Sequence, residues 1–115
     1  MAPNAPNALV QGTLDMLILK TLALEPMHGY GISVRLTQIS RGVFQVNAGS
    51  LFPAFRRLER DGLISADWRA TQNNRQAKYY ALTKRGRATL KTQTEAWESQ
   101  TTAISRILKA SLEEL

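Results

Sequence analysis

Hydrophobic residues recur at helical spacing in four stretches of this chain and at alternate positions in another. The clearest helical stretch is residues 47–64, NAGSLFPAFRRLERDGLI. Its apolar face is formed by Leu51, Phe55 and Leu58. Arg56 and Arg60 lie four residues apart on roughly the opposite face, and Gly62 follows as a helix-ending residue. The pattern predicts a helix that is held by one apolar stripe and that exposes arginines to an anionic partner.

Pro53 complicates the start of this helix. Proline has no N–H to donate, so a helix that began at Asn47 would lose a hydrogen bond in its second turn. Two alternatives follow: the helix starts nearer Ser50, or its N-terminal part is loosened. In both, the arginines face outward.

Two further helices are predicted ahead of this stretch, after a disordered tail at residues 1–8, MAPNAPNA. The first runs from about Leu9 or Thr13 to about Leu24, where Pro26 ends it. Its stripe comprises Val10, Leu14, Leu17, Ile18 and Thr21. Extra leucines outside the stripe indicate a helix that packs on two sides.

The second helix is predicted over about Gly29 to Ser40, with Gly42 as a left-handed cap. Its stripe comprises Ile32, Leu36 and Ile39. Two helices, a short turn and a third helix with exposed arginines are typical of the helix-turn-helix class. The third helix would then be the recognition helix.

After Gly62 the period changes from helical to alternating. Ile64, Ala66 and Trp68 alternate with polar residues and predict a strand, on which Trp68 is assigned to the core. Residues 78–82 predict a second strand, across a polar turn. Basic residues at or near the tip are Arg69, Arg75 and Lys78. The hairpin is interpreted as a wing that reaches phosphates, or else as an ordinary hairpin that covers the core.

A long last helix is predicted from Lys84 to about Ala110, with Thr83 as its N-cap. Its four-three repeat comprises Leu90, Gln93, Trp97, Gln100, Ile104 and Ile107. The polar members leave this stripe with too few apolar residues for a buried core helix. We therefore expect it to pack on a second copy of itself and of the first helix. The residues predicted for this interface are Leu14, Leu17, Leu90, Trp97, Ile104 and Leu108.

Trp97 permits two interpretations. In the first interpretation, the tryptophan is a packing anchor in the dimer interface. In the second, the indole meets its symmetry mate and the two rings sandwich a flat aromatic ligand.

Charge strengthens the case for a polyanionic partner. The 115-residue chain has a net charge of +6 and a pI of about 10.2. From Arg35 to Lys91 there are 12 basic and 3 acidic residues, so the positive charge surrounds the helix that exposes arginines. Such concentration indicates nucleic-acid binding, or else a basic surface that serves solubility.

Composition argues against catalysis and against metal or cofactor binding. The chain has no cysteine, which excludes disulfides and thiolate sites and fits a reducing cytoplasm. His28 is the one histidine, and we assign it to hydrogen-bonded packing. The carboxylates are scattered, and no Gly-rich phosphate loop occurs. Neither a signal peptide nor an apolar run of ~20 residues is present, so no membrane segment is expected.

Three pieces of the chain together resemble the PadR family of bacterial transcriptional regulators. They are residues 9–32, LVQGTLDMLILKTLALEPMHGYGI, residues 47–64, and residues 78–90, KYYALTKRGRATL. The resemblance implies a mainly α fold with a small β-hairpin, a winged helix-turn-helix with a single C-terminal dimerisation helix. It further implies a homodimeric regulator, usually a repressor, that binds a palindromic promoter element.

The resemblance also carries over to single residues. The GSLYP motif of the family falls on residues 49–53, with Phe52 in place of tyrosine, and HGYE falls on residues 28–31, with Gly31 in place of the acid. Some compact members bind planar aromatic compounds between tryptophans of the two last helices, and Trp97 stands near that position.

These observations together predict a DNA-binding domain at residues 9–83, a dimerisation helix at 84–110 and a tail at 111–115. The residues predicted to contact DNA are Tyr30, Ser50, Phe52, Pro53, Arg56, Arg57, Arg60, Arg75, Gln76 and Lys78. Arg56 is expected to read bases and Arg60 to contact the backbone. The expected partners are double-stranded DNA, a second copy of the chain and a small planar aromatic effector. The alternatives are a winged-helix module that binds protein instead of DNA, and a small enzyme.

Overall fold

The fold is four helices and a small antiparallel sheet, seen in a computed structural model that describes residues 6–115 and the side chains of residues 13–115. Its elements are α1 (Pro6–Leu24), β1 (Met27–His28), α2 (Gly29–Ile39), α3 (Ala48–Arg60), β2 (Ile64–Ala70), β3 (Gln76–Leu82), α4 (Lys84–Lys109) and a 3₁₀ turn, Leu112–Glu114. The predicted fold class, mainly α with a winged helix-turn-helix, is confirmed.

The start of α1 differs from its predicted position. The helix begins at Pro6 instead of Leu9 or Thr13. Proline suits the first turn of a helix, because the N–H that it lacks has no partner there. Residues 1–5 of the predicted tail lie outside the described residues, and residues 6–8 belong to α1.

The core lies where α1, α2 and α3 meet the sheet. The fully buried large side chains are Ile18, Leu19, Ile32, Leu51, Phe55 and Ile64. Phe55 is at the centre, with its ring centroid 4.5 Å from that of Tyr80 on β3. This packing fixes the predicted apolar face of α3 inward.

The end of α2 contains two consecutive residues with positive φ. Gly42 has φ 82, as predicted for a left-handed cap, but Arg41 before it has φ 56. The N–H of Arg41 donates to the carbonyl of Gln38 at 3.1 Å, and that of Gly42 donates to the carbonyl of Thr37 at 2.8 Å. This is the Schellman pattern, in which Arg41 occupies the position that usually holds glycine.

The sheet has three strands in the order β1-β3-β2, all antiparallel. Sequence analysis predicts the β2–β3 hairpin but not β1, whose two residues pair with Tyr79 and Tyr80. The assignment of Trp68 to the core is wrong, because its side chain is 66% exposed. Ile64 on the same face is 2% exposed, so the core covers the start of β2 and leaves the indole uncovered.

Helix α4 starts at a compact joint with the end of α3. The Thr83 hydroxyl donates to the carbonyl of Gly62 at 2.7 Å and accepts from the N–H of Gly86 at 2.9 Å. Gly86 is buried, and a Cβ at that position would overlap the carbonyl oxygen of Leu63. From residue 102 onward every residue of α4 is exposed, so its second half projects from the domain.

Candidate nucleic-acid interface

Helix α3 begins at Ala48, with Asn47 as its N-cap. The Asn47 side chain accepts hydrogen bonds from the N–H of Ser50 at 2.9 Å and from its hydroxyl at 3.0 Å. The alternative start near Ser50 is therefore wrong, because an asparagine cap satisfies the first turn and fixes the earlier start. Pro53 lies inside the helix on its exposed face.

The three arginines of α3 have different surroundings. Arg56 is exposed and makes no salt bridge in the described part of the chain. Arg60 is exposed and lies 3.3 Å from the carboxylate of Asp61. Arg57 instead turns toward α1, where its Nη2 lies 2.9 Å from Oδ1 of Asp15. The predicted direct DNA contact of Arg57 thus competes with an ion pair inside the protein.

A crease separates α3 from the β2–β3 hairpin, which we call the wing. On the α3 side, Glu59 lies 3.5 Å from Nζ of Lys78 on β3. The same ammonium group lies 5.8 Å from the ring centroid of Tyr80. Burial raises the pKa of the Tyr80 phenol above 10.0, the negative charge of Glu59 adds to the rise, and Arg56 opposes it. These contacts hold the wing at a fixed position beside the exposed arginines.

The tip of the wing carries two of the predicted contact residues. Arg75 and Gln76 are both exposed. The turn is closed by the N–H of Thr71, which donates to the carbonyl of Arg75 at 2.6 Å. Asn74 has φ 64, a conformation that asparagine tolerates better than most residues. The tip therefore presents a cation on a well-defined turn.

A second exposed group surrounds the start of α2. Tyr30 is 70% exposed in the first turn. His28 caps this helix, because its Nδ1 accepts from the N–H of Gly31 at 3.0 Å, which confirms its structural assignment. Phe52 of α3 is partly exposed, packs against Phe55 and lies beside Gly29. Tyr30 and Phe52 thus lie on either side of the place where the first turn of α2 contacts α3.

The predicted dimer residues fall into two groups. Leu14 and Leu17 pack partly buried against the core, and Leu90 is buried. Leu90 therefore lies in the core of its own chain, because α1 covers the first turns of α4. Trp97, Ile104 and Leu108 remain exposed.

An open groove of about 200 Å³ lies between α1 and α4. Its lining residues are Thr13, Met16, Gln93, Ala96, Trp97 and Gln100. The side-chain oxygen of Gln93 is buried without a hydrogen-bond partner in the described part of the chain. The groove therefore combines an aromatic side chain with the polar side chains of Gln93 and Gln100.

The described residues form neither a metal site nor a membrane span. Residues 6–115 contain no cluster of three or more His, Asp or Glu side chains that could hold a metal ion. None of the helices there combines the length and apolar character that a membrane span requires.

A third helix with outward arginines, a wing beside it and a basic surface around both define a winged helix-turn-helix DNA-binding protein. The transcriptional regulator PadR-like family matches residues 18–92 of the chain. The chain belongs to this family and is a PadR-family transcriptional regulator, which confirms the resemblance seen in the sequence.

Solved structures of the same kind support this assignment. A PadR family transcriptional regulator from Eggerthella lenta is 30% identical, with a TM-score of 0.78, over 90% of this chain and 88% of that one. A PadR-like transcriptional regulator from Bacillus cereus is 25% identical, with a TM-score of 0.79, over 90% and 99%. An uncharacterized protein of Lysinibacillus sphaericus is 29% identical over 77% of this chain and 82% of its own length. Both of these solved structures are named as transcriptional regulators.

Proposed function

We propose that this PadR-family regulator binds a palindromic promoter element as a homodimer and acts as a repressor. The observation that carries the proposal is the apolar side of α4 that the rest of the described chain leaves uncovered. Trp97, Ile104 and Leu108 are 44%, 52% and 79% exposed. Stripes of this length and spacing are usually buried against a partner helix. A second copy of α4, packed also on α1 through Leu14 and Leu17, would cover it.

The DNA contacts follow from the exposed side of α3. Ser50, Pro53 and Arg56 would enter the major groove, where arginine can donate two hydrogen bonds to guanine. Contacts to the backbone would come from Arg60, Tyr30 and Phe52, of which Phe52 can offer only its ring. Arg75, Gln76 and Lys78 would bring the wing to phosphates or to the adjacent minor groove. A homodimer repeats these contacts about a twofold axis, which a palindromic element matches.

The groove beside Trp97 is the proposed effector site. In a homodimer, a planar aromatic compound could stack on the indole. Because the groove is formed by α1 and α4, a ligand there would alter the packing of the helices that space the two DNA-binding units. Release from DNA would follow from that change of spacing. As a regulator of transcription, the protein would act in the cytoplasm.

DNA binding is tested first by titration with a mixed-sequence duplex at increasing salt. We expect binding that weakens steeply as salt rises, because phosphate contacts release counterions. The DNA upstream of the gene for this protein should then compete far better if it holds an inverted repeat. A lack of salt-sensitive binding to any duplex would overturn the proposal and favour a winged-helix module that binds protein.

The dimer is tested by sedimentation of Trp97→Glu. A buried carboxylate without a partner is costly, so this variant should be monomeric. Trp68→Glu, which places the same charge at an exposed position on the wing, should remain dimeric. A dimeric Trp97→Glu protein would place the interface elsewhere.

The effector site is tested with the planar dye proflavine and the Trp68→Phe variant, in which Trp97 is the remaining tryptophan. We expect the dye to quench Trp97 emission in the absence of DNA, into which the dye itself would intercalate. Adding Ala96→Leu to this variant fills the groove beside the indole and should abolish the quenching. Equal responses of the two variants would exclude this groove.

A further inference from the structure

Trp68 is an exposed aromatic side chain that does not pack into the core of the domain. It is 66% exposed on β2, whereas Ile64 on the same face of that strand is buried. A tryptophan buries more apolar surface than most side chains when it packs, so such exposure often indicates a binding surface.

The register of the hairpin shows which way this face is turned. Ala66 pairs with Tyr80, and Trp68 pairs with Lys78. Since alternate residues of a strand share a face, Trp68 lies on the same side as these two partners. Tyr80 stacks on Phe55 of α3, and Lys78 lies 3.5 Å from Glu59 of α3. The indole is therefore on the face toward α3, at the outer end of the crease.

The charge around the crease fits an anionic occupant. Arg56 borders it from α3, and the exposed Arg75 lies at the wing tip. Glu59 is the acid on this side, and Lys78 pairs with it. Asp67 is on the opposite face of β2, where it pairs with Arg69 at 3.4 Å. An apolar ring bordered by cations matches the sugar–phosphate backbone, which alternates apolar sugars with charged phosphates.

The geometry of duplex DNA places that backbone in the crease. When α3 lies in a major groove about 12 Å wide, the strand that borders the groove must pass between α3 and the wing. We propose that Trp68 contacts this backbone: its ring packs on a deoxyribose, and its indole N–H donates to a phosphate oxygen. This contact rests on the proposed DNA binding, and it adds an aromatic residue to the predicted wing contacts Arg75, Gln76 and Lys78.

A neutral contact has a signature that a cation lacks. Trp68→Ala should weaken binding about tenfold, the change expected from an aromatic contact of ~1.4 kcal/mol. It should do so equally for mixed-sequence and palindromic duplexes, because backbone contacts carry no base information. The slope of affinity against salt should not change, since no charge is removed. Trp68→Phe should recover part of the loss, because it keeps an apolar ring and lacks the N–H.

Fluorescence locates the contact directly. In Trp97→Phe, Trp68 is the remaining tryptophan, and its emission should change as a mixed-sequence duplex is added at low salt. The matched control is Trp68→Phe, in which the emission of Trp97 on α4 should change less, because that ring is not in contact with the DNA.

The outcomes separate this contact from the function on which it rests. Normal DNA binding by Trp68→Ala, together with unchanged Trp68 emission, would overturn the proposed contact and leave the proposed DNA binding intact. The exposed indole would then be a candidate contact for a protein partner. A shallower salt slope in Trp68→Ala would also overturn it, because the variant would then have disturbed the cations. Absence of salt-sensitive binding by the unaltered protein would overturn the proposed function and this contact together.

Discussion

The side chain of Asp15 on α1 accepts a hydrogen bond of 2.9 Å from the guanidinium group of Arg57 on α3. Both side chains are partly exposed, at 29% and 40%. An ion pair in such surroundings contributes little to stability, about 0.2–1 kcal/mol. Its effect is geometric, since it holds the recognition helix against the helix proposed to carry part of the dimer interface.

Arg57→Ala and Asp15→Asn should therefore change DNA binding in the same direction. Each removes the link, so each should weaken binding severalfold, and the double variant should lose no more than either single variant. The free energy of unfolding should fall by less than ~1 kcal/mol in each. If Asp15→Asn instead tightened binding, Arg57 would be a direct DNA contact that the aspartate restrains.

Arg56→Ala should reduce specificity. A bidentate arginine–guanine pair contributes ~1–3 kcal/mol of discrimination, so affinity for the palindromic element should fall roughly 5- to 150-fold, and random DNA should be less affected. Arg60→Ala is the control, for which we expect equal losses on both. Competition binding with the two duplexes measures the ratio. An equal loss for Arg56→Ala would remove it from base reading.

The wing cations should differ in their salt dependence. Arg75→Ala should lower the slope of log affinity against log salt by about one, as expected for one lost phosphate contact. Lys78→Ala should lower it less, because Lys78 already pairs with Glu59 at 3.5 Å. Glu59→Gln frees that ammonium group and should tighten binding. An unchanged slope in Lys78→Ala would exclude it from the phosphate contacts.

Arg41→Gly should stabilise the fold. Arg41 has φ 56, where side chains are strained by ~1–2 kcal/mol and glycine is not. Denaturant unfolding should show a higher midpoint and an unchanged slope. Gly42→Ala, at φ 82, is the reciprocal control and should be destabilised. A loss of stability in Arg41→Gly would mean that its side chain makes contacts that outweigh the strain.

Gly86→Ala should destabilise the fold although it lies within a helix. In an exposed helix this change gains up to ~1 kcal/mol. Here the new methyl group would overlap the Leu63 carbonyl oxygen and separate α4 from α3. Gly49→Ala in α3 is the control, because only Asn47 Oδ1 lies near its Cβ position, at 3.4 Å, and it should be neutral or stabilising. Thermal unfolding of the two variants compares them directly.

The parts of the fold that sequence patterns predict well are those decided within one element. The apolar stripe of α3 and the cap of α4 at Thr83 each depend on neighbours a few residues away. β1 could not be predicted, because two residues become a strand only through their pairing with β3. The Asp15–Arg57 contact joins residues 42 positions apart, so no local pattern indicates it.

The wrong assignment of Trp68 to the core and the unexpected burial of Leu90 share one physical cause. Alternation shows which face of β2 Trp68 occupies, and the heptad stripe shows which face of α4 Leu90 and Trp97 occupy. Neither pattern shows how far along the element a face is covered. The core covers β2 at Ile64 and not at Trp68, and α1 covers α4 at Leu90 and not at Ile104. Where the covered part of a face ends depends on the length of the neighbouring element, and the hydrophobic pattern of the covered element carries no information about that length.

The hydroxyl of Thr83, bonded to Gly62 and to Gly86, links the end of the recognition helix to the start of α4 at a single point. Helix α4 has 26 residues. At that length it is roughly 39 Å long, so a rotation of ~5° at this point would displace its far end by about 3 Å. Conversely, a shift of about 3 Å at the far end of α4 would change the orientation of α3 by only ~5°. In the proposed homodimer, a small shift where the two α4 helices pack would therefore change the angle between the two α3 helices.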